Sequence, residues 1–167
     1  DSGERYLSTP LFLVKKKAEI HLFNTLTRSK MPFDPIHKGR VSMYTCGPTV
    51  NRLIHLGECR RFVFSDLLYR YLTYRDLEVT HVMNITDMDD TTIQGSEAAG
   101  QSLAEYTRYY IDRFMADMEA LNIAPAGLYP RASEHVDDMV AIAKKLYEKG
   151  VAYEKLRSLY FSIGAFA

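Results

Sequence analysis

Between Gly39 and Gly47-Pro48, the run Val41 to Thr45 has the make-up of a short β-strand with turn residues on either side. Past a loop the rhythm changes. Phe64, Leu68 and Leu72 recur every fourth position with Val63, Leu67 and Tyr71 beside them, which predicts a helix beginning near Glu58 or Cys59 with one apolar stripe. Val79 to Ile85 returns to β-branched residues and partial alternation, a second strand. Strand, helix, strand is a βαβ unit, so the two strands are expected to lie parallel, joined by a helix over residues 59 to 74.

The second half has helical spacing. Ser102 and Glu105 form a capping-box pattern, and Leu103, Tyr106, Tyr110, Phe114, Met118 and Leu121 follow on one face. Asn122 to Pro130 reads as a loop. Ser133 is expected to open a further helix whose face is Val136, Met139, Val140, Ala143, Leu146 and Tyr147, with Gly150 at its end. Val151 to Tyr153 and Leu159 to Ile163 read as short strands, a candidate hairpin. Residues 1–19, with early Gly, Ser and Pro and then Lys15-Lys16-Lys17, read as a leader or linker. The fold class expected is α/β.

Composition narrows the classes of function. A length of 167 residues suits one domain, and 47% hydrophobic with 25% charged residues suits a soluble globule. Lys+Arg and Asp+Glu are both 21, so bulk charge gives no reason to expect nucleic-acid binding, although a local basic patch stays open. Leu11 to Val14 is too short an apolar run for a membrane span or signal core, and the lysines follow it where a signal peptide would have them precede. A cytoplasmic protein with no membrane association is expected. The two cysteines, Cys46 and Cys59, form no C-x-x-C pair, so no disulfide-linked partner is expected. The chain begins without Met and ends at FSIGAFA without a cap or polar tail, which reads as a fragment of something longer.

Ligands of open α/β sheets sit beyond the carboxyl ends of the strands. Two loops fall there: YTCGPTVNRLIHLGECRR (residues 44–61) and Asn84-Ile85-Thr86-Asp87. Gly57 would let a ligand approach the backbone, a helix N-terminus favours phosphate, and His55 could hydrogen-bond it. A plain loop histidine beside a turn glycine fits the same dipeptide. Cys46 suits a thiolate metal ligand or a buried small hydrophobe, and Cys59, inside the helix, suits packing. Asp87, Asp89 and Asp90 resemble a magnesium cluster, but acids at a helix start are the favoured reading. Tyr106, Tyr109 and Tyr110 read as a core face with exposed edges.

Order and spacing together add more. LFNTLTRSKMPFDPIHKGRVSMYTCGPTV, then HLG, FSDLLYRYL, NITDMDD, PRASEHVDDM and AYEKLRSLYFSI, over about residues 20 to 163, closely resemble the start of cysteinyl-tRNA synthetase. The resemblance implies a Rossmann-like class I synthetase catalytic domain. Residues 20–100 would be its first half, and 101–167 the helical start of the insertion that splits it. It implies activation of cysteine with ATP and Mg2+ and transfer to tRNA(Cys), in a fragment inactive alone. Cys46 matches one ligand of an active-site Zn2+, whose remaining ligands would lie beyond residue 167. A soft metal separates a thiolate from a hydroxyl better than a hydrophobic pocket does. His55, Gly57 and Glu58 match the signature that binds ATP phosphates, with His55 in the catalytic role. Gly47, Thr49, Thr86 and Asp87 match residues of the cysteine and adenylate pocket.

Departures stand beside the matches. Glu58 replaces a second histidine or an asparagine, and its carboxylate would repel polyphosphate. Asn51 and Arg52 replace Tyr-Asp, Thr91 replaces a lysine, and Ser162 an aspartate. Two other readings therefore remain: a cysteine ligase of mycothiol-type thiol biosynthesis, and a non-catalytic synthetase-like binding protein.

Overall fold

A computed structural model describes residues 19–166. The leader read over residues 1–19 lies outside this range except for Glu19. The described residues divide into two compact units, with the boundary between Lys38 and Gly39. In the first, β1 (His21–Asn24) and β2 (Ser29–Pro32) form an antiparallel hairpin. Arg28, at φ 52°, makes its turn.

The second unit is built on the expected βαβ. β3 (Arg40–Thr45) pairs in parallel with β4 (Glu78–Met83), from Arg40 opposite Glu78 to Thr45 opposite Met83. Helix α1 (Leu56–Tyr74) connects them and packs on β4. It begins earlier than the spacing predicts, because His55 itself is the cap. The 122–130 segment, expected to be a plain loop, runs along the other side of β4. Met83 N–H donates to Leu128 O at 3.0 Å and Ile85 N–H to Pro130 O at 2.8 Å. Pro125 and Pro130 lack an N–H, which limits this edge to isolated bridges.

Helix α2 (Asp90–Ala99) starts where the acids at 87–90 were read as a helix start, although its extent was not predicted. It has few apolar residues and is started by Asp89, which caps it. Helix α3 (Leu103–Ala120) starts at the expected Ser102–Glu105 capping box. Gly95 of α2 lies against the Tyr106 ring; a Cβ there would be 2.4 Å from the tyrosine oxygen, so the two helices meet where α2 lacks a side chain. The core is Phe62, Met83, Phe114 and Met118, adjoining Val50, Ile85 and Ile111. Phe62 and Phe114 meet edge to face at 5.2 Å.

Two packing expectations are corrected. On α1 the buried residues are Phe62, Ser65 and Leu72, while Phe64, Leu67 and Tyr71 are exposed. Charged residues such as Arg60, Arg61, Asp66 and Arg70 are interspersed with the apolar ones around that helix, so periodicity could not select its inward face. Helix α4 (Val136–Glu148) follows a short 3-10 turn (Ala132–His135) instead of opening at Ser133, and none of its residues is buried. Strands β5 (Ala152–Lys155) and β6 (Ser158–Phe161) form the expected antiparallel hairpin, and a short α5 (Ile163–Phe166) follows.

Candidate functional site

The carboxyl ends of β3 and β4 are locked together. Gly47 N–H donates to Asn84 Oδ1 at 2.9 Å, and Asn84 Nδ2 donates to Thr86 Oγ1 at 3.1 Å. Thr86 N–H donates to Pro48 O at 3.0 Å, and Val50 N–H to Thr86 O at 3.1 Å, so Thr49 and Thr86 form a parallel bridge. Gly47 is buried, and nothing larger fits there: a Cβ would lie 1.6 Å from Asn84 O. Cys46, just before it, is exposed, and the guanidinium of Arg61 donates to the Cys46 carbonyl. Thr45 Oγ1 bonds His81 Nε2 at 2.8 Å, which anchors the end of β3 from beneath.

His81 gives a first prediction. It is buried and stacks on Tyr69 with ring centroids 5.8 Å apart. Burial pushes its pKa below the usual imidazole value, with the Asp66 carboxylate opposing. The unfolded chain therefore takes up the proton first. The stability of the neutral ring is present above the ordinary histidine value of about 6.5 and is lost as pH falls through it toward the depressed folded value. Chemical denaturation of the wild type is expected to lose stability as pH falls below about 6.5, and His81→Gln to flatten that slope. An unchanged slope in the variant would contradict the assignment.

The loop after Gly47 leads to the N-terminus of α1. His55 Nδ1 accepts from Gly57 N–H at 3.1 Å, so Nδ1 is the unprotonated nitrogen, and Nε2 lies 3.5 Å from Glu58 Oε2. Gly57 is close to this ring; a Cβ would be 3.0 Å from His55 Cε1. Glu58 completes the capping box by accepting from His55 N–H at 3.1 Å, and it pairs with Arg52 at 2.9 and 3.2 Å. Burial alone would raise the Glu58 pKa, but the Arg52 and His55 hydrogen bonds outweigh this and hold it below the usual carboxylate value.

The acidic cluster separates by role. Asp89 caps α2, accepting from Thr92 N–H at 2.8 Å and Thr91 Oγ1 at 2.9 Å. Burial would raise its pKa, yet these bonds hold it low. Asp87 is buried, and both its oxygens are taken by Ser133: N–H at 2.9 Å and Oγ–H at 2.6 Å. A cavity of about 300 Å³ beside it is lined by Met88, Arg108, Arg131 and Ser133. Of the three tyrosines, Tyr106 donates its hydroxyl to Asn51 O at 2.8 Å, Tyr109 is exposed, and each rings Tyr110 edge to face.

Thr49 and Thr86 thus bridge directly, Gly47 joins them through Asn84, and His55, Gly57 and Glu58 form a second group at the helix entry. Asn84, Arg61 and Arg52 are polar partners that the sequence reading did not assign. Asn84 was legible as the first polar residue after an apolar strand. Among the described residues, no group of three or more His, Cys, Asp or Glu could hold a metal.

A parallel strand pair joined by a helix that starts at its carboxyl end defines an open α/β fold of the Rossmann type. The chain belongs to the class I tRNA synthetase family: the family described as "tRNA synthetases class I (C) catalytic domain" matches residues 32–167. Among curated proteins it is 48% identical over 147 residues to the cysteine–tRNA ligase of Methanosarcina mazei, and 43% identical to that of Pyrococcus abyssi. Each alignment covers 88% of this chain and 31% of the relative, so the chain spans about a third of these relatives' length. Two solved structures share the fold. The Agrobacterium radiobacter K84 LeuRS ternary complex has a TM-score of 0.61 at 22% identity, covering 72% of this chain and 16% of that one. The Mycobacterium tuberculosis methionyl-tRNA synthetase with methionyl-adenylate has a TM-score of 0.60 at 21% identity, covering 67% and 23%.

Proposed function

We propose that the protein carrying this chain is a cytoplasmic cysteine–tRNA ligase. In this reading residues 20–100 are the first half of its catalytic domain and 101–167 the helical start of the insertion. The carrying observation is the Gly47–Asn84 lock at the strand ends, opening toward a helix N-terminus capped by His55, in a chain of this family. The relatives named as cysteine–tRNA ligases favour this over an amino-sugar ligase or a non-catalytic protein.

Each group then has a task. His55 Nε2–H donates to the phosphates of ATP, bound with Mg2+, and the positive end of α1 adds to it, the Gly57, Glu58 and Cys59 N–H groups themselves being held by His55; together they stabilise the charge that develops as pyrophosphate leaves. Gly57 keeps the His55 ring in place by leaving it room. Thr49 and Thr86 present hydroxyls to cysteine, and Gly47 sets their spacing. Asp87 acts through Ser133, holding the 84–87 loop in place. Cys46 would supply one thiolate to a zinc ion that binds the substrate thiol. The described residues offer that single sulfur, short of the three or more protein ligands zinc takes, and no step here depends on the metal. Among the described residues no helix is long and apolar enough to cross a membrane.

The test is transfer of labelled cysteine by the intact protein, offered tRNA(Cys) or an amino-sugar inositol as acceptor. Cysteinyl-tRNA is the expected product. Label only in the amino-sugar would contradict the proposal.

A further inference from the structure

The bidentate pair at the entry of α1 has a consequence for ligand charge. Arg52 Nη1 donates to Glu58 Oε2 at 2.9 Å and Nη2 to Oε1 at 3.2 Å, while Nη1 also donates to the Leu53 carbonyl at 3.1 Å. The same Oε2 accepts from His55 N–H and lies 3.5 Å from His55 Nε2. The carboxylate is therefore fixed on the His55 side of the helix entry. Arg52 is about half exposed and Glu58 27% exposed, so a ligand arriving at His55 meets both.

A fixed carboxylate here opposes a bound polyphosphate, whereas the helix end favours one. A forked guanidinium at contact distance cancels that charge and fixes the carboxylate's orientation. As a surface ion pair it adds little to folding, so its larger effect falls on what the site can bind. We propose that Arg52 is a charge-compensating, positioning residue for the polyphosphate subsite: by neutralising Glu58 it lets a nucleoside triphosphate or pyrophosphate bind beside an acid. Arg52 acts through Glu58 and not by touching phosphate. This rests on the nucleotide-binding reading of the α1 entry given above.

Calorimetric titration of ATP and of pyrophosphate into the intact protein tests it, using the unmodified chain, Arg52→Gln, Glu58→Gln and the double variant. Arg52→Gln exposes the carboxylate and is expected to weaken both ligands roughly tenfold at low salt, and less at high salt. Adding Glu58→Gln to the same chain should restore affinity to within about twofold of the unmodified protein, the mark of two coupled residues. Thermal melts should differ little among the variants, which separates this effect from unfolding. A loss that persists in the double variant would make Arg52 a direct phosphate ligand and overturn the proposal. Unchanged binding in Arg52→Gln would overturn it as well. If the unmodified protein binds neither ligand, the nucleotide-binding reading itself fails, an outcome distinct from the other two.

Discussion

Gly47→Ala is expected to destabilise the protein by roughly 3 kcal/mol or more, the range of severe overpacking against backbone. The new Cβ would lie 1.6 Å from Asn84 O, 2.8 Å from Asn84 C and 3.2 Å from Met83 Cγ, where ordinary contact begins at 3.4 Å. Two of these atoms are backbone, so no rotamer change relieves the clash. The strand ends must separate, and with them go the Gly47–Asn84 hydrogen bond and the bridge between Thr49 and Thr86. Asn84→Ala is the control. It removes the side-chain bonds and leaves the packing, at a cost of about 1 kcal/mol. Denaturant titrations of the two variants would settle the difference. A Gly47→Ala protein as stable as the wild type would show that the strand ends are not held this closely.

His55→Ala has the second large effect, on rate more than on stability. The ring caps α1 through Nδ1, and losing a cap costs about 0.5–2 kcal/mol. The same substitution removes the Nε2–H donor proposed to face the phosphates, and losing one such donor lowers a rate by about 10²–10³. His55→Asn separates the two roles, because asparagine is a strong cap but does not extend as far as an imidazole. Its melt should match the wild type while its ATP–pyrophosphate exchange stays low. Full exchange in His55→Ala would remove the histidine from the chemistry.

The sequence was most readable where the signal is local. The β3–α1–β4 unit and the capping box of α3 came from spacing and turn residues a few positions apart, and the structure keeps both. What it hid depends on partners distant in sequence. The β1–β2 hairpin is exposed on nearly every residue, so no alternation marks it. Helix α2 buries Thr92 and Ser96, polar residues that a hydrophobic pattern ignores. Phe64 and Leu67 look like core and lie at the surface of α1. In the candidate site, resemblance pointed to His55, Gly57 and Gly47, and geometry added Asn84 across 37 residues. The departures read singly as Arg52 and Glu58 are partners in the folded chain, so the acid that seemed to oppose phosphate carries its own counter-charge.

The central claim is that the ends of β3 and β4, with the entry to α1, form a site where ATP and cysteine react. Amino-acid-dependent ATP–pyrophosphate exchange, measured on the intact protein with cysteine and with serine, tests it most directly. The account predicts exchange that requires cysteine and is far weaker with serine. No exchange with cysteine, or equal exchange with both amino acids, would contradict it.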